Sequence, residues 1–133
     1  MSMSNYLETL LLDWVFAQSV PVQATNFYLG IHDADPGETG ANEQDDTSDT
    51  AYTRPEIIFG AAAAAGVISN TAALTHTPAV AAVDFVVSYV SIWDDTYTNG
   101  GNCLFTAALA VTRTINNGAP LSFAIGDINV SLD

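Results

Sequence analysis

Apolar residues recur at helical spacing at the start of the chain. Tyr6, Leu7, Leu10, Leu11, Trp14 and Val15 fall on one helix face, and Leu12 and Phe16 lie off that stripe. Asn5, with Glu8 three residues on, resembles a capping box in which Asn replaces Ser or Thr. Pro21 sets the end near Gln18. The pattern predicts one helix over residues 5–18. A surface this broadly apolar must be covered, and the domain's own sheet is the expected cover rather than a neighbouring subunit. Tyr6, Leu7, Leu10, Leu11 and Trp14 are the candidate protein-contact residues.

The rest of the chain alternates with period two. Thr25 to His32 reads as a strand, with Phe27, Leu29 and Ile31 on one side. Tyr52 to Phe59 reads as a second strand, placed at an edge or a strand start by Pro55. Val67 to His76 is expected as a third, with threonines suited to it. Between them, GAAAAAG at 60–66 is too short for a stable helix and reads as a packed connection. Val83 to Trp93 is the strongest strand. Phe85, Val87, Tyr89 and Trp93 are expected on one face and Val86, Val90 and Ile92 on the other, which suits a central, doubly covered position. Asn102 to Thr114 follows, and Asn117-Gly118 signals a hairpin to the final segment.

That final segment changes phase. Leu121, Phe123 and Ile125 are odd-numbered; Ile128, Val130 and Leu132 are even-numbered. A plain strand would turn one half outward. A bulge at Gly126, or a strand that switches between two sheets, keeps both halves inward. The fold class expected is mainly β: a single-domain antiparallel β-sandwich of about six or seven strands with one N-terminal α-helix.

Composition adjusts this picture. At 133 residues and 49% hydrophobic content, one domain with its own core is feasible. Cys103 is the only cysteine, so no intramolecular disulfide forms and a cysteine zinc site lacks ligands. Its apolar run suits a buried thiol. Fifteen acids face two bases, Arg54 and Arg113, with no lysine, for a net charge of −13. Nucleic-acid binding and docking on anionic membranes are therefore not expected. No apolar run reaches membrane-spanning length, and MSMSNYLETLLLDWVF lacks the basic region of a secretory signal. Seven of the fifteen acids crowd into DADPGETGANEQDDTSDT at 33–50, which reads as a long solvated surface loop.

Candidate chemistry is sparse. His32 with Asp33, Asp35 and Glu38 matches no metal-ligand signature, and Asp45, Asp46 and Asp49 read as solvated acids that calcium would suit only in a formed site. His76 reads as a hydrogen-bonded strand histidine. There is no nucleophile elbow, and Cys103 has no neighbouring base. No catalytic residues, cofactor or metal are therefore expected. Asp94-Asp95 beside Trp93 and Tyr97 admits two readings. One is a sugar or calcium site. The favoured one is the polar end of a core strand entering the Asn99-Gly100-Gly101 reversal.

Several pieces in order carry a resemblance. They are SNYLETLLLDWVF, FYLGIHDADPGETG, YTRPEIIFGAA, GVISNTAAL, IWDD followed by GGNCLFTAAL, and TINNGAPLSFAIGDINVSLD. Together they resemble a family of small tailed-bacteriophage virion proteins labelled tail-fibre-like, with residues 41–50 looking like an insertion. The resemblance implies a non-enzymatic structural component with no catalytic residues to carry over. A compact, acidic, lysine-free domain suits capsid decoration on the outer surface of the head. Its expected partners are the major capsid protein or other virion proteins, and copies of itself, a trimer being one form. A fibre subunit would more often show repeats or heptads, and neither is present. A tail fibre or minor tail component is the alternative, and a carbohydrate- or calcium-binding module is a further one.

Overall fold

A computed structural model describes residues 1–45, 49–62, 66–78, 84–116 and 118–131. In chain order these form β1 (Ser2–Met3), α1 (Asn5–Phe16), β2 (Phe27–His32), β3 (Glu56–Ile57), β4 (Val67–Ser69), β5 (Leu74–His76), β6 (Phe85–Trp93), β7 (Cys103–Ile115), β8 (Leu121–Phe123) and β9 (Asn129–Ser131). One five-stranded sheet runs β1-β7-β6-β2-β3, and two small sheets pair β4 with β9 and β5 with β8. All pairings are antiparallel. The protein is mainly β with one N-terminal helix, as its alternation predicts.

The sheets share one core. Leu29, Ile31, Ile57, Val90 and Ile92 of the large sheet meet Leu74, Leu121, Ile128 and Val130 of the small ones. The other face of the large sheet, at Gly30, Ser91 and Trp93, is covered by the acidic loop: Gly40 lies against the Trp93 ring and His32 bonds the Ala41 carbonyl. β6 is thus central and covered on both faces. Its two faces are not the expected ones, because Val87 joins the same core as Val90. Tyr89 pairs with Ala108 but Val87 pairs with Arg113, so the β7 segment 109–112 opposes Ser88 alone. That bulge resets the alternation.

Other expectations change. The strand expected over 67–76 is two, broken at Asn70, and the one expected over 52–59 shrinks to Glu56–Ile57 at the sheet edge, directly after Pro55. The last segment switches between sheets: β8 pairs with β5, Gly126 turns at φ 82°, and β9 pairs with β4. Both Leu121 and Val130 are buried as a result. The Asn117-Gly118 hairpin does not form between β7 and β8, since β8 takes β5 as its partner; Asn117 itself lies outside the described residues. Part of GAAAAAG (63–65), Asp46, Val83 and Leu132 also lie outside them.

Candidate functional site

The helix begins one residue earlier than its pattern suggests. Ser4, not Asn5, is the N-cap: its Oγ accepts from the Leu7 N–H at 3.3 Å and donates to the Cys103 carbonyl at 2.5 Å. The Ser4 N–H donates to the Leu104 carbonyl. The Ser/Asn-Tyr-Leu-Glu stretch thus caps through Ser4, and the cap ties α1 to β7. At the other end, Ala17 and Ser19 both donate to the Asp13 carbonyl, and Gln18 adopts φ 58°. This reverses the chain. Residues 20–24 then run back beside the helix, and Pro21 ensures that they do not continue it.

The expected cover is missing. No residue of α1 is buried. Leu7, Leu10 and Leu11 are half-buried, whereas Trp14 is 54% and Phe16 78% exposed. The five contact residues expected from the sequence, Tyr6, Leu7, Leu10, Leu11 and Trp14, come together along a groove of about 430 Å³. Its far wall includes Val20 and Val22 from the returning segment, and Leu104 also lines it. The sequence pointed to one stripe. It did not show that Leu12, Val15 and Phe16 would stand in water on another face, although their place off the stripe was the signal.

The titratable residues, by contrast, are consumed in structure. His32 is 1% exposed; its Nδ1–H donates to the Ala41 carbonyl at 2.8 Å and its Nε2 meets the Ser91 hydroxyl at 2.7 Å. The Trp93 indole N–H donates to the same hydroxyl at 2.6 Å. Burial lowers the His32 pKa, against smaller opposing effects of the Ala41 bond and Glu43. Arg54 is nearly buried and donates to Glu43 twice, at 2.7 and 2.6 Å. Its Nη1 donates to the carbonyls of Asp95, Thr96 and Gly100. Its guanidinium carbon sits 3.7 Å from the centre of the Trp93 ring. The Tyr52 hydroxyl also donates to Glu43, at 2.7 Å, and burial first, then Glu43, raises the Tyr52 pKa.

Trp93 is therefore no open stacking platform: it is 8% exposed, with Arg54 over its ring and Gly40 against its edge atoms. Asp94 accepts from the Asn102 N–H at 2.6 Å and the Asn102 side chain at 2.9 Å. Asp95 accepts from the Thr96 N–H at 2.7 Å and the Asn99 side chain at 3.0 Å, and these bonds, Asn99 first, hold its pKa below the usual value. Both aspartates brace the β6–β7 reversal. The acidic loop is less solvated than its charge suggests. Asp49 is fully buried, accepts from the Ala51 N–H, and meets His76 Nε2 at 3.0 Å. Cys103 is buried, and burial pushes its thiol up to about 12. Among the described residues, no three His, Cys, Asp or Glu side chains group to hold a metal ion, and no helix is long and apolar enough to cross a membrane.

The fold and its one open feature define a mainly-β structural module that presents an apolar helix. Over residues 2–131 the chain matches the family described as podophage GP4 fiber I protein gp80. It belongs to that family of tail-fibre-like phage proteins, and so to the structural proteins of the virion. No curated protein matches the sequence.

Proposed function

We propose that the protein is a non-enzymatic structural subunit of the phage particle that acts by protein–protein contact through α1. One observation carries this reading: an apolar helix with no buried residue stands on a domain whose polar residues are spent on internal bonds. Patches of this kind mark contact surfaces. The fibre description of its family supports a place in the tail apparatus. The net charge of −13, the absence of lysine and the compact single domain favour the second reading, decoration of the outer capsid surface beside the major capsid protein. Binding of sugar or calcium at Trp93, Asp94 and Asp95 is disfavoured, because those groups already have partners.

Mass spectrometry of separated heads and tails tests the location. The chain found with tails supports the fibre reading, and the chain found only with heads replaces it by decoration. A phage carrying Trp14→Glu and Phe16→Glu should release particles that lack the protein. Normal incorporation of that variant overturns the role given to α1.

A further inference from the structure

We infer that the occupant of the α1 groove is a second copy of this chain, and that copies join head-to-tail into a closed ring through α1. The inference rests on α1 being a contact surface and goes further by naming what it contacts.

The helix carries two apolar faces. At 100° per residue, Leu7, Leu10, Leu11 and Trp14 cluster on one side and line the groove. Leu12, Val15 and Phe16 point to roughly the opposite side, and each is more than half exposed. A helix apolar all round needs cover all round. One foreign partner seated in the groove would leave Leu12, Val15 and Phe16 in water. A copy of this chain meets both needs, because each molecule supplies a knob to one neighbour and a groove to the other. Knob and groove are different patches, so the contact is heterologous, and such contacts generate rings when the rotation closes.

Size and charge agree. Trp14 and Phe16 alone present on the order of 300 Å² at their observed exposures. With Leu12, Val15, Val20 and Val22 the patch approaches the roughly 800 Å² that one partner brings to a standard interface. Of the fifteen acids, only Glu8 and Asp13 fall within the first 32 residues. A molecule of net charge −13 repels its copies elsewhere, and this is where that repulsion is weakest.

The test uses the full chain and light scattering coupled to gel filtration. Wild type should run as an integer multiple of 14.0 kDa. A knob variant, Val15→Glu with Phe16→Glu, and a groove variant, Val20→Glu with Val22→Glu, should each run as monomers with unchanged circular dichroism, since all four side chains are exposed. Mixed one to one, they should form a heterodimer, because one intact knob meets one intact groove. Wild type that stays monomeric at about 100 µM, far above a micromolar Kd, overturns the inference. So does a mixture that stays monomeric. If α1 variants are lost from particles while wild type is monomeric in solution, α1 faces another virion protein, and the proposed function stands without the ring.

Discussion

The Arg54 guanidinium closes on the Glu43 carboxylate with two near-parallel hydrogen bonds, and both side chains are almost out of water. This pair joins three segments: the acidic loop through Glu43, the strand-leading segment through Arg54, and the β6–β7 reversal through its carbonyls. Breaking a buried pair by removing one partner leaves an uncompensated charge and costs about 3–5 kcal/mol. Arg54→Met should fall in that range in denaturant unfolding. Arg54→Lys should recover only part of it, since an ammonium cannot make the fork to Glu43 and also reach the carbonyls. Glu43→Gln combined with Arg54→Met should cost less than the sum of the two single changes. Strict additivity would show that the two side chains do not act as a unit.

Gly30 is where the sheet leaves room for this network. A Cβ there would run into the Ser91 hydroxyl and lie 2.7 Å from the Trp93 indole nitrogen. Gly30→Ala should therefore destabilise the fold by about 1–3 kcal/mol through overpacking. It should also shift Trp93 emission to the red. The measurement is made in a Trp14→Phe background, which leaves Trp93 as the only tryptophan. An unchanged spectrum with unchanged stability would mean that the neighbours yield at no cost.

Much of this architecture was legible in the residues. Helical spacing found α1, and alternation found β2, β6 and β7. The odd-to-even change across Gly126 announced the switch between β8 and β9. What escaped the pattern was long-range. Asn70, within Ser-Asn-Thr, looks like part of a strand until its partner 58 residues away is known. Arg54 before a proline looks like a solvated base, and its burial depends on Glu43 and on carbonyls from another loop. Asp49 looks solvated among acids until His76 is placed beside it. The hairpin signal at Asn117-Gly118 described a turn correctly and its strands wrongly, because a turn does not choose the strand that β8 pairs with. The uncovered helix was misjudged for a related reason: apolar periodicity shows that a face wants cover, not which molecule provides it.

The buried relay of His32, Ser91 and Trp93 sets a pH dependence. Its bonds are satisfied by a neutral ring, with the proton on Nδ1 facing the Ala41 carbonyl and Nε2 accepting from Ser91. Burial holds the folded pKa below the ordinary 6.5. As pH falls below 6.5, the unfolded chain binds a proton that the folded one refuses. The stabilisation is therefore present above 6.5 and is lost progressively as pH drops towards the depressed folded value. An NMR titration, with the ring assigned by its loss in His32→Gln, should place the His32 midpoint below 6.5. A midpoint at or above that value contradicts the relay as drawn.

Asn70 holds the strand switch together. Its side-chain nitrogen donates to the carbonyls of Ala72 and Ala124, at 2.8 and 2.9 Å, and its side-chain oxygen accepts from the Ile128 N–H at 3.0 Å. Its own backbone pairs with Ile128 and with Gly126. The break between β4 and β5 thus lies opposite the break between β8 and β9, and one amide satisfies backbone groups on both sides. Asn70→Ala strands the Ile128 N–H in a buried setting, where an unmet backbone group costs about 1–3 kcal/mol. Two carbonyls lose a donor in the same change, so the loss should reach the top of that range. Asn70→Asp keeps the acceptor for Ile128 but sets a carboxylate against two carbonyls, and should be at least as damaging. Amide exchange at Ile128 and Gly126 should quicken in both variants ahead of exchange in β6. If exchange quickened equally in β6 and at Ile128, Asn70 would support the whole core rather than the switch.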